Sequence, residues 1–299
     1  MDVIRCEAVD KVYKRKKALN TLSFTIKENT ITGLIGRNGA GKTTLMKLLA
    51  GFQKTSAGDL KVFGENPFNS LLVSANTILV DHDMKFTASL TLGGIIESAA
   101  SFYKNFDKEM AFRLLKYFSL DAGTYQEKLS KGMKSTFHSI IALSARCALT
   151  ILDEPTIGMD ASVRKDFYRA LLKEYLAFPR TIVISSHHLE EMEDVLEDVL
   201  LLHQGQKKLH MSIEDLKEYG IGLQGRVNEL ERILENRDVL FRKNITPDIL
   251  YAVVQKKGWE EGTFAGLDVS PVSVSDLCVY VTSEYKGGID DVFRKNEFD

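Results

Sequence analysis

Short apolar runs and polar turns alternate over the first 35 residues: Val3-Ile4, then Leu22-Ser23-Phe24-Thr25-Ile26, then Ile31 to Ile35. That period predicts β-strands. Gly58 to Gly64 and Asn76 to Val80 continue it. From about Ala88 to Ala148 the apolar positions shift to helical spacing, as in Ile95-Ile96-Glu97-Ser98-Ala99-Ala100 and Met110-Ala111-Phe112-Arg113-Leu114-Leu115, which predicts a mostly helical insert. Strands return at Ala148 to Leu152 and Thr181 to Ser185, with a helix-like stretch from Ser162 to Tyr175 between them. Almost wholly apolar strands that alternate with helices predict a buried parallel sheet. The character changes again after Gly205, and a separate unit begins near Gly220. In it Arg226 to Asn236 reads as a helix, while Leu277-Cys278-Val279-Tyr280-Val281 fits either a strand or a short apolar helix. The expected organisation is an α/β domain over residues 1–219, with its helical part at about 88–148, and a small α+β domain over 220–299. The chain shows no internal repeat and no low-complexity tract.

Residues 36 to 44, Gly-Arg-Asn-Gly-Ala-Gly-Lys-Thr-Thr, stand between the Ile31–Ile35 run and the helix-like Leu45-Met46-Lys47-Leu48-Leu49-Ala50. Glycine, four residues, then glycine, lysine and threonine leave a turn free of obstructing side chains. Successive backbone N–H groups can then wrap a polyphosphate. Gly36, Asn38, Gly39, Ala40, Gly41, Lys42, Thr43 and Thr44 form the expected cradle. The Lys42 ammonium reaches the β- and γ-phosphates, the Thr43 hydroxyl can ligate Mg²⁺, and the dipole of the following helix favours negative charge. A ligand-free strand-to-helix turn is the plainer explanation of such glycines, but the strand before and the helix after favour nucleotide binding.

Composition narrows the class. With 299 residues and 44% hydrophobic content, the chain can bury one large core and a second, smaller one. Its formal charge of −2, from 39 basic and 41 acidic residues, provides no field for nucleic acid or an anionic membrane surface. Cys6, Cys147 and Cys278 are far apart and odd in number, which suits a reducing cytoplasm better than a disulfide or zinc framework. Met1-Asp2-Val3-Ile4-Arg5 lacks a signal-peptide layout, and no stretch of membrane-spanning length is free of charge, so no direct membrane span is expected.

The run Leu149-Thr150-Ile151-Leu152-Asp153-Glu154 is a buried strand ending in two carboxylates. Alternation points them in different directions, so one can serve Mg²⁺ while the other addresses an attacking water. An acidic strand end before the turn at Pro155 would be the commoner explanation in isolation. Beside a phosphate loop, the catalytic one is preferred.

With these motifs in this order, residues 1 to about 215 resemble the ATP-binding subunit of an ABC transporter. The resemblance implies a P-loop NTPase core with a parallel sheet, an antiparallel β subdomain and a helical subdomain. It places Tyr13 where an aromatic ring stacks on adenine, and Leu129-Ser130-Lys131-Gly132-Met133 on the signature segment usually written LSGGQ. Ser130, Lys131, Gly132 and Met133 would then serve the nucleotide of a partner subunit, with Ser130 donating a hydroxyl hydrogen bond at a helix start. A helix cap is the ordinary structural role for the same residues. His187, in Ser185-Ser186-His187-His188, takes the place of the histidine that contacts the γ-phosphate and the attacking water; His188 is incidental. Asp160, in Gly158-Met159-Asp160, takes the place of the interface loop residue, with a helix N-cap as an equal alternative. The basic run Lys14 to Lys17 reads as a solvated turn.

One departure stands out. Where family members place a glutamine after the strand ending at Val80, this chain has Asp81-His82-Asp83. Asp81 could approach Mg²⁺, and His82 could hydrogen-bond phosphate or water. Glu154 is expected as catalytic base, His187 as its aligning partner, and Thr43, Asp153 and Asp81 as the metal set; ATP and Mg²⁺ are the expected cofactors. The resemblance further implies a second ATP-binding subunit, identical or merely similar, and a separate transmembrane permease of the Gram-positive exporter type for antibiotics, peptides or toxins. ATP-driven dimer closure would energise that permease from the cytoplasmic face of the membrane. A soluble ABC-type ATPase, or a nucleotide-gated regulator uncoupled from transport, is the competing expectation. Trp259, the only tryptophan, is expected to anchor the core of the C-terminal unit, with ligand stacking as the minor alternative.

Overall fold

The computed structural model describes residues 1–81, 83–186, 189–235, 237–259, 264 and 266–283. The chain divides into two compact units, Met1–His210 and Met211–Asp299.

In the first unit a six-stranded sheet carries strands 77–80, 149–153, 181–185, 31–35, 198–203 and 206–212, in that spatial order. The first five run parallel. Strands Ile31–Ile35, Leu149–Asp153 and Thr181–Ser185 are buried at every position, which is why they read as continuous apolar runs. A two-residue turn at Gln204 and Gly205, both at positive φ, leads to the edge strand. Such a turn matches the twist of paired strands.

A separate antiparallel sheet orders strands Lys16–Lys27, Asp2–Tyr13 and Ala57–Val62. Its register slips between Cys6 and Val9, where Ala8 takes φ 47°, so a bulge re-aims the strand. The helix Lys42–Leu49 lies in the core between the two sheets: Leu45, Met46, Leu48 and Leu49 are buried with Ile4, Leu22 and Leu60 from one side and Leu149, Ile151 and Val183 from the other. The helical part consists of Leu92–Phe102, Lys108–Tyr117 and Lys131–Ala145, within the expected insert.

The second unit is a four-stranded antiparallel sheet in the order 239–244, 249–255, 220–226, 268–271. Strand alternation sends Leu250, Ala252 and Val254 into a cluster with Leu230 of helix Val227–Leu234, and Val253 into another with Leu277. Residues 274–282 are a helix, capped by Ser273, which resolves the two readings of that apolar run. Trp259 packs against the first cluster and its indole N–H donates to the Gln255 carbonyl at 2.7 Å. This is the anchoring role expected of it.

The helical part is tied to helix Ala161–Ala177 by charges largely withdrawn from water. Arg146, left-handed at the end of helix Lys131–Ala145, pairs with Asp107 at 2.9 Å and Glu174 at 2.7 Å and stacks on Phe178. Glu174 also faces Arg180 at 4.0 Å, and both are more than nine-tenths buried. Removing one member of a buried ion set leaves the others uncompensated. Glu174→Ala is therefore expected to cost about 3 kcal/mol of stability, read as a lower urea midpoint at unchanged m-value.

Candidate nucleotide site

The phosphate loop leaves the central strand at Gly36 and enters its helix at Lys42. Gly41 holds φ 106°, and a Cβ there would lie 2.7 Å from the Ala18 carbonyl oxygen. Only glycine fits this position. The loop is also braced from outside, since the Gly205 N–H donates to the Ala40 carbonyl at 3.0 Å. Arg37, Asn38 and Gly39 form the exposed crest, and Thr44 is half-buried. The Lys42 side chain folds back into the loop and its ammonium donates to the Gly36 carbonyl at 2.6 Å. Burial pulls that ammonium below its usual range, while the charges of Glu154 and Asp153 oppose the pull.

The carboxylates are placed by sheet register. Asp153 ends its strand directly opposite Ser185. The Ser185 hydroxyl donates to Asp153 Oδ1 at 2.7 Å and accepts the Glu154 N–H at 3.0 Å. Thr43 donates to the other Asp153 oxygen at 2.6 Å. Glu154 is left-handed at φ 51°, an uncommon backbone state for a side-chain-bearing residue that is concentrated at functional sites. Thr43 and Asp153 together offer a hydroxyl and a carboxylate, hard oxygen donors of the kind Mg²⁺ takes alongside waters and phosphate oxygens. The structure thus brings Lys42, Thr43, Asp153 and Glu154 into one place.

The signature segment docks on the loop that follows the carboxylates. Ser130 caps helix Lys131–Ala145, accepting the Met133 N–H at 3.3 Å. Gly132 lies so near Gly158 that a Cβ would sit 2.2 Å from the Gly158 oxygen, which explains a small residue at this point of the motif. The Ser135 hydroxyl donates to the Ile157 carbonyl at 2.7 Å. Lys131 and Met133 are exposed. Asp160 caps helix Ala161–Ala177 by accepting the Val163 N–H at 2.9 Å. Arg164 holds the Met159 carbonyl at 2.9 Å and grips Glu191 with two nitrogens, at 2.7 and 2.8 Å.

Tyr13 ends the first strand with its hydroxyl bonded to the Gln53 side chain and the Lys11 ammonium 5.1 Å from its ring centre. Of the run read as a solvated turn, Lys14 and Arg15 form the turn between the first two strands, while Lys16 and Lys17 open the second strand and Lys17 pairs with Asp10 at 3.0 Å. Asp81 sets its carboxylate 3.9 Å from the Lys47 ammonium and accepts the Asp83 N–H at 3.1 Å. It lines a recess of about 80 Å³ shared with Asp153, Glu154 and His138. His82, His187 and His188 lie outside the described residues. Among the described residues no group of three or more His, Cys, Asp or Glu side chains could hold a metal ion, and no helix is long and apolar enough to cross a membrane.

Three participants escape sequence reasoning. Ser185 is visible only as a strand end, and its importance comes from register. Arg164 is one charge among many on a helix. His138 had a usable signal, a polar ring inside the apolar run Phe137-His138-Ser139-Ile140-Ile141.

The family model described as ABC transporter matches residues 19–157. The Bacillus subtilis ABC transporter ATP-binding protein YtrB is 28% identical over 222 residues, covering 74% of this chain and 76% of YtrB. The Bacillus licheniformis bacitracin transport ATP-binding protein BcrA is 32% identical over 221 residues, covering 72% of each chain. The fold superposes on a solved ATP-binding subunit of an ABC transporter with a TM-score of 0.64 at 22% identity, over 72% of this chain and 92% of that one. A phosphate loop, a strand-end carboxylate pair and a signature helix on this fold define a P-loop ATPase of the ABC type. The chain belongs to the ABC transporter ATP-binding family.

Burial lowers the His138 imidazole to about 4, against its bond to the Asp81 carbonyl. As pH falls from the ordinary value of 6.5, the unfolded chain therefore takes up this proton first. The stability His138 contributes is complete above about 6.5 and is lost between there and about 4, a decline of up to about 3 kcal/mol. Urea unfolding across that window should show a steeper fall for the native chain than for His138→Ala.

Proposed function

We propose that the chain is the ATP-binding and ATP-hydrolysing subunit of a membrane exporter, energising a separate permease polypeptide through ATP-driven closure of a dimer. The observation that carries this reading is the Thr43–Asp153 bond at 2.6 Å. It sets the phosphate loop against the carboxylate strand end, the two segments from which a site for a magnesium-bound polyphosphate is built.

In this reading Gly36, Asn38, Gly39, Ala40, Gly41, Lys42 and Thr44 cradle the phosphates, Tyr13 meets the adenine, and Thr43 with Asp153 would hold Mg²⁺. Asp81, on the wall of the same recess, is the third member of that set. The ion, when bound, neutralises charge building up on the phosphates. Glu154 orients the attacking water and takes its proton, with His187 aligning it and holding the γ-phosphate. Ser130, Lys131, Gly132 and Met133 address the nucleotide of a second ATP-binding subunit, and Asp160 lies at the contact between the two. ATP makes contacts in the closed dimer that the open one lacks, so binding shifts the population toward closure, and hydrolysis resets it. The likeness to the bacitracin transport ATP-binding protein BcrA supports a transport role, and an exporter working from the cytoplasmic face of the membrane is the form of it proposed.

An apolar strip suits the permease. Phe52, Phe68, Leu71 and Leu72 are exposed, on two segments that meet where Gly51 lies against the Pro67 carbonyl. Exposed apolar groups gathered this way mark docking surfaces.

Glu154→Gln should retain ATP binding, lose all but about a hundredth of the turnover and accumulate as a dimer with ATP in size-exclusion chromatography. Unimpaired turnover would remove Glu154 from the role. Leu71→Glu should keep basal turnover and abolish co-purification with the membrane fraction when the chain is isolated from its native cells.

A further inference from the structure

The stretch where family resemblance expects a glutamine has none, yet a glutamine reaches it from another part of the chain. Gln126 opens the short turn Gln126–Lys128, just ahead of the signature segment. Its amide grips the main chain twice: Oε1 accepts the Phe86 N–H at 3.2 Å, and Nε2 donates to the Met84 carbonyl at 3.3 Å. The second Nε2 hydrogen faces His138 Nε2 at 2.6 Å. His138, about two turns into the signature helix, hydrogen-bonds the Asp81 carbonyl with its ring. A neutral imidazole that accepts at Nε2 satisfies the Gln126 contact. The Phe86 ring packs edge-on against Phe137 and His138, with centres 5.9 and 5.8 Å away.

This network joins three things that are distant in sequence. The loop that carries Asp81 is fastened at 84 and 86 to the turn just ahead of the helix that Ser130 caps, and at 81 and 86 it meets that helix through His138 and Phe137. His138 and Asp81 in turn form part of the wall of the recess that holds Asp153 and Glu154. Because hydrogen bonds of this kind are directional and the network is half-buried around a buried His138, a shift of the signature helix pulls on the loop.

We propose that Gln126 and His138 together replace the absent glutamine, as positioning residues that couple the signature helix to the Asp81 loop and through it to the hydrolytic carboxylates. This rests on the ATPase reading above. Their role is to hold the Asp81 loop in place rather than to act on the reacting atoms. Their effect falls on the geometry of the reacting groups, and so on kcat.

The test is steady-state ATP turnover of the full chain with Mg²⁺, for Gln126→Ala, His138→Ala and the double variant, with thermal melts confirming folding. Each single variant should lose about tenfold to a hundredfold in kcat, the range of a small misplacement of reacting groups, with KM for ATP held within about twofold. The double variant should be no worse than the worse single one, because both break one network. Added imidazole should restore turnover to His138→Ala and not to Gln126→Ala, a response that mere loss of packing would not give. Folded variants with unchanged kcat, or independent losses that multiply in the double variant, overturn the coupling while native turnover stands. Absence of turnover in the native chain overturns the ATPase reading itself, and the coupling with it.

Discussion

The site is organised around one serine hydroxyl. Ser185 Oγ donates to Asp153 and accepts from the Glu154 N–H, and the second Asp153 oxygen takes the Thr43 hydroxyl. Three segments far apart in sequence are thereby fixed at the carboxyl ends of adjacent strands, where ligands of open α/β sheets bind. The parallel register that sets Asp153 opposite Ser185 is held by strands buried along their whole length, so the hydroxyl cannot move without disturbing the core. The left-handed residue Glu154 sits on the same serine, which accepts its N–H just where the chain leaves the strand.

A second set of contacts sits around the helical part. At one end the signature helix rests on the loop after the carboxylates, through Gly132 and Ser135. At the other, Arg146 joins Asp107 of the insert to Glu174 of a core helix. The helix is thus gripped at both ends by partners of different character: close backbone approach and neutral hydrogen bonds near the site, half-buried charge away from it. Low-dielectric charge pairs tolerate little displacement, whereas hydroxyl-to-carbonyl bonds can be re-made with neighbouring carbonyls. Motion of this helix, where it occurs, is easier at the Ser130 end.

What could be read from the residues follows from how local each signal is. The phosphate loop, the carboxylate strand end and the signature segment are contiguous motifs flanked by apolar runs; period places the first two at the ends of buried parallel strands and the third in the helical insert. The helix at 274–282 stayed ambiguous because Leu277 to Val281 is too short and too apolar for period to separate strand from helix. Ser185 and Arg164 were illegible for a different reason, since their roles come from register and from a partner, Glu191, on another element. The lack of a glutamine near Asp81 was legible, but its compensation was not. Gln126 lies 40 residues from the Phe86 N–H it accepts, beyond any local pattern.

Ser130 caps its own helix by accepting the Met133 N–H. That bond uses an oxygen lone pair and holds the side chain in one rotamer, leaving the hydroxyl proton as the group still able to donate outward. An acceptor arriving at this helix end therefore meets a donor already frozen in place, and the rotamer entropy that ordering a serine would otherwise cost has been spent during folding. The small cap is in this sense a preorganised tooth: in the proposed dimer, the bond that strengthens the helix would also ready the hydroxyl for its acceptor.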